Sequence, residues 1–61
     1  MKEIIMNMIN DGSKLILGVN NTEVEVSKEN IIKSNKDKLI VNDSRLITMV
    51  NLDAVEYFKF K

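Results

Sequence analysis

In "EVEV", residues 23–26, apolar and polar positions alternate strictly, which is the period of a strand with one buried face. Asn20–Asn21 ahead of it suits a two-residue turn, because asparagine tolerates the left-handed region. That turn pairs Val19 with Thr22, Leu17 with Val24 and Leu15 with Val26. The segment before it reads two ways. Asp11–Gly12 is a favoured hairpin loop, and as such it pairs Met8 with Leu15, Met6 with Leu17 and Ile4 with Val19. All three pairs are apolar, and they use the same face of the middle strand. Yet Met1, Ile4, Ile5, Met8 and Ile9 also match the i, i+3, i+4, i+7 helix template, with only Met6 out of place. Gly12 would then be a C-terminal cap. Agreement of register across two successive turns favours a strand over residues 2–10, with a short helix as the alternative.

The second half breaks into short β-branched runs. "SKEN" (27–30) is a connection or a single helical turn, with Ser27 as N-cap. "IIKS" reads as a strand and "NKD" as its turn. "KLIVN" and "RLITMVN" are strands joined at Asp43–Ser44, which pairs Val41 with Leu46 and Ile40 with Ile47. "NLDA" is a turn and "VEYFKF" the last strand, although Asp53 followed by Glu56 also resembles a helix start.

These readings predict one small β domain over 1–61: an all-β antiparallel barrel or compact two-sheet sandwich of six to seven strands, built from consecutive hairpins. With the helix alternative, the order becomes one helix and about five bent strands. That outline resembles the Sm-like small barrels in element order, with no Sm motif beside it.

Size and composition narrow the chemistry. Sixty-one residues make one domain, and a chain this short buries only about 60% of its unfolded surface. Cys and His are both absent. Disulfides and His- or Cys-based zinc sites are therefore excluded as staples, which leaves self-association or consistent local structure. Nine basic residues balance nine acidic ones, so no global field draws the chain to nucleic acid or an anionic membrane. No apolar run reaches membrane-spanning length. "EIIMNMIN" is broken by Asn7 and Asn10 and lacks a small-residue cleavage site, so a cytoplasmic location is expected. Residues with AT-rich codons (Phe, Tyr, Met, Ile, Asn, Lys) number 31, against 4 for Gly, Ala, Arg and Pro. This bias points to a low-GC genome, and with the small size to a phage or plasmid.

Without His or Cys, the common acid–base and nucleophilic machinery is missing, and the two glycines form no phosphate loop. No enzyme activity and no cofactor are expected. Glu23 and Glu25 share a strand face and could hold a hard cation, although a solvated face explains them better. Lys33, Lys36 and Lys38 form the one basic patch, able to contact phosphates. "VEYFKFK" holds every aromatic residue. Tyr57, Phe58 and Phe60 there are either core and guarded edge or a sticky edge for a partner chain.

The expected function is a non-enzymatic protein-binding module, a modulator or inhibitor of a host factor, that self-associates through "VEYFKFK". Two other functions stay open. One is a small-barrel nucleic-acid binder using Lys33, Lys36 and Lys38 with Tyr57 as a stacking ring. The other is a small-ligand binder at an oligomer interface.

Overall fold

The computed structural model describes residues 1–44 and 46–61. Its first element is a helix, α1 (Lys2–Asn10), so the strand expected over 2–10 and its pairing with Leu15, Leu17 and Val19 do not form. Asp11 stays right-handed at φ −81°, which no type I′ hairpin allows. Gly12 takes φ +96° instead. The Gly12 N–H donates to the Ile9 carbonyl at 3.0 Å and the Ser13 N–H to the Met8 carbonyl at 2.9 Å. This pair of bonds is the Schellman motif, which satisfies the last carbonyls of the helix.

Beyond the helix come β1 (Leu15–Val19), β2 (Thr22–Val26), β3 (Ile31–Asn35), β4 (Lys38–Asp43), β5 (Leu46–Asn51) and β6 (Val55–Phe60). They form two antiparallel three-stranded sheets, ordered β2-β1-β6 and β3-β4-β5. The fold is thus mostly β, with one short N-terminal helix, as in the helix-first alternative. The β1–β2 register is the expected one, Val19↔Thr22 through Leu15↔Val26. Asn20 and Asn21 both hold positive φ, 52° and 61°, as the turn requires.

One connection fits the sequence reading except for its cap, and one departs from it. The 27–30 segment is the expected connection, a single turn closed by the Ile31 N–H on the Ser27 carbonyl at 3.2 Å, and the Ser27 N–H donates to Asn30 Oδ1 at 2.8 Å. Ser27 therefore does not act as an N-cap; the side chain of Asn30 organises the turn. Between β4 and β5 the pairing is Asp43↔Leu46, Val41↔Thr48 and Leu39↔Val50, two residues along β5 from the expected register. Both registers keep the same faces buried. The observed one sets core residue Leu39 opposite core residue Val50. It also brings the Leu52 N–H within 2.7 Å of the Asp37 carbonyl, which closes the sheet.

"LDA" (Leu52–Ala54) forms one 3-10 turn, and the Asn51 side chain accepts from the Asp53 N–H. The expected strand follows it. Ile5 and Ile9 from the helix join Leu15, Leu17, Val24, Val26, Leu39, Val41 and Val50 in one buried cluster. Among the described residues, no helix is long and apolar enough to cross a membrane.

Candidate functional site

The outer faces of the two sheets differ in kind. On the first, β1 contributes Gly18 at its centre, opposite Glu23 of β2 and Tyr57 of β6. With no side chain at Gly18, the Tyr57 ring crosses it, and the Tyr57 hydroxyl donates to Glu23 Oε2 at 2.5 Å. Lys59 Nζ lies 3.2 Å from the same carboxylate oxygen, and Lys61 Nζ donates to Glu25 Oε1 at 2.8 Å. Both glutamates named as cation ligands are thus already neutralised by neighbours. Among the described residues, no group of three or more Asp or Glu side chains is arranged for a metal.

This face carries a prediction. A methyl at position 18 would overlap the Tyr57 ring. Gly18→Ala is expected to destabilise by roughly 1 kcal/mol, the centre of the range for point mutants, by driving the ring off Glu23. In a Tyr57→Ala background the same change should cost much less. Urea melts of the four proteins in the cycle measure it; equal losses in both backgrounds would remove Tyr57 from the explanation.

The second sheet presents a different surface. Its outer face has three rows across β3, β4 and β5: Asn35–Lys38–Asn51, Lys33–Ile40–Met49, and Asn42–Ile47. Met49 is 63% exposed and Ile47 70% exposed. Lys33, Asn35, Lys38, Ile40 and Met49 line a shallow hollow of about 120 Å³. Ile32, left unopposed where the β3 register shifts, adds another exposed apolar side chain. Four hollows are larger, one of them beside this face over the β3–β4 turn, and each borders groups already tied in hydrogen bonds or ion pairs, such as Tyr57 with Glu23 and Lys2 with Asp37.

The lysines named from sequence divide around this face. Lys33 and Lys38 border the hollow, and Lys36 sits in the β3–β4 turn at φ +47°. None of the three is in an ion pair among the described residues. The aromatic residues divide as well. Phe58 is half-buried against the core, Tyr57 is committed to Glu23, and Phe60 is exposed, edge-on to Phe58 at 6.3 Å. Tyr57 lies on the opposite sheet from the three lysines. Sequence reasoning missed Ile40, Ile47 and Met49 as a surface. The near-continuous apolar runs of "KLIVN" and "LITMVN" held the signal, because both faces of such strands are apolar and one small core covers only one of them.

Electrostatics tie the helix to the second sheet. Lys2 Nζ donates to Asp37 Oδ1 at 2.6 Å and lies 3.0 Å from Asp53 Oδ1. These contacts raise Lys2 above its ordinary range, Asp37 first and Asp53 second, and the Lys2 hydrogen bond lowers Asp37. On the other sheet, Glu23 is lowered by the Tyr57 hydroxyl and then by Lys59, while Tyr57 is raised by its bond to Glu23. A lowered carboxylate stabilises the fold above its unfolded pKa, and that contribution is lost as pH falls through its folded pKa. A raised lysine or tyrosine stabilises below its unfolded pKa, and that is lost as pH rises through its folded pKa. With no His or Cys to titrate between, stability is expected to be level from about pH 6 to 9 and to decline below roughly pH 4 and above roughly pH 10. A pH series of urea midpoints measures this, and a step near pH 7 would contradict it.

Set against protein-family models, curated proteins and solved structures, the chain matches none of them.

Proposed function

We propose that this chain is a non-enzymatic protein-binding module whose docking surface is the outer face of the second sheet. The observation that carries the reading is an apolar centre, Ile40, Met49 and Ile47, bordered by Lys33 and Lys38, which form no ion pair among the described residues. Exposed apolar side chains clustered within a polar border are the usual mark of an interaction surface. The surrounding charge is basic, so the partner is a protein segment with acidic residues flanking an apolar anchor. The composition of the sequence adds the setting: a mobile element in a low-GC host, with a host factor as partner.

Selection from a displayed peptide library tests the reading. The enriched peptides should carry Asp or Glu beside Leu, Ile or Phe, and Ile40→Asp should abolish their binding while circular dichroism stays unchanged. Enrichment of peptides without acidic residues, or binding indifferent to Ile40→Asp, would overturn it. Lys33 and Lys38, with Lys36 in the turn between their strands, favour a second reading, contact with nucleic-acid phosphates. Its mark is binding of a single-stranded oligonucleotide that weakens steeply between about 50 and 200 mM salt. Tyr57 gives that reading no stacking ring beside the lysines, since it stands on the other sheet.

A further inference from the structure

Four strands are sheet edges among the described residues: β2 and β6 in the first sheet, β3 and β5 in the second. Edge strands expose unpaired backbone N–H and C=O groups, and charged side chains usually guard them. β2 carries Glu23 and Glu25, β6 carries Glu56 and Lys59, and β3 carries Lys33. β5 reads "LITMVN" and has no charge, no proline and no glycine. It is also regular, six residues long, and pairs with β4 without a register shift. Its exposed apolar residues stand on both sides: Ile47 and Met49 on the outer face, Leu46 on the other.

We propose that two copies of this chain pair β5 against β5, antiparallel about a two-fold axis, and so join their second sheets into one sheet of six strands. In an antiparallel two-fold contact residue i meets residue j of the copy and j meets i, so every charge on the strand is carried into the seam. β5 carries none. At β6 the same operation would take Glu56 and Lys59 into the seam, and charged side chains on an edge guard against such pairing. Pairing runs in the plane of the sheet, and the outer-face side chains point out of it. The dimer therefore leaves the Ile40–Met49 surface open and sets two of them side by side. This proposal does not depend on the identity of any docking partner.

Light scattering at micromolar concentration should give about 14 kDa, twice the 7.0 kDa chain mass. Leu46→Lys charges the edge without touching the core or the outer face. It should give a folded 7.0 kDa monomer by scattering and circular dichroism. Hydrogen exchange on the wild type is a second measurement that needs no variant: dilution should speed exchange of the β5 amides facing away from β4. A wild-type monomer would overturn the proposal. So would a dimer that survives Leu46→Lys but is broken by Phe60→Asp, because β6 would then be the joining edge. A species larger than two copies would overturn it as well, since a closed two-fold stops at two.

Discussion

Ile5→Ala is expected to remove most of the stability of the domain, and Ile4→Ala, one residue away, almost none. Ile5 is 0% exposed and Ile4 56% exposed. Truncating a buried isoleucine to alanine costs about 2–5 kcal/mol, through lost transfer energy and the cavity left behind. A domain of 61 residues has roughly 3–9 kcal/mol in all. Ile5→Ala therefore leaves a largely unfolded chain or one melting far lower. Ile4→Ala stays within about 0.5 kcal/mol, as surface changes do. The pair separates the two readings of residues 2–10, because a strand in the hairpin register buries Ile4 and turns Ile5 away. Thermal melts followed by circular dichroism decide it, and a larger loss at Ile4 would refute the helix.

Gly12→Val is expected to cost roughly 1–3 kcal/mol, the usual scale of backbone strain. Position 12 holds φ +96° with nothing within 4 Å of an added Cβ. The cost is therefore set by the positive φ. Gly12→Asn should be milder, because asparagine enters the left-handed region more readily than a β-branched residue. Denaturant midpoints of the two variants measure the difference. Equal losses would mean that the glycine is needed for something other than its φ. The prediction is the same whether Gly12 caps a helix or turns a hairpin, since both need positive φ there.

The candidate docking face was partly legible. Lys33 and Lys38 were named from their spacing alone, and they border the hollow. Their apolar neighbours Ile40 and Met49 were not singled out. In "KLIVN" every residue between Lys38 and Asn42 is apolar, so alternation cannot say which of Leu39, Ile40 and Val41 face inward. The aromatic cluster of "VEYFKFK" pointed to an edge, and β6 is one. What the cluster does not reveal is that Gly18, 39 residues earlier, makes room for Tyr57.

The sequence by itself determined the parts governed by short-range chemistry. Asn20–Asn21 can occupy two successive positive-φ positions, and this alone sets the β1–β2 register. Strand-forming residues between turn residues likewise mark β3, β4 and β6, and Asn51 marks the start of the 3-10 turn. Only the tertiary structure decided between helix and strand for residues 2–10. The apolar residues there satisfy both periods, and Asp11–Gly12 suits both endings. What breaks the tie is burial: as a helix the segment inserts Ile5 and Ile9 together into the core beside Leu15 and Leu39. The β4–β5 register was decided the same way. A two-residue slip leaves every side chain on its own face, so local alternation cannot detect it. The core pair Leu39–Val50 and the closing hydrogen bond from Leu52 to Asp37 choose between the two registers, and both are contacts between segments distant in the chain.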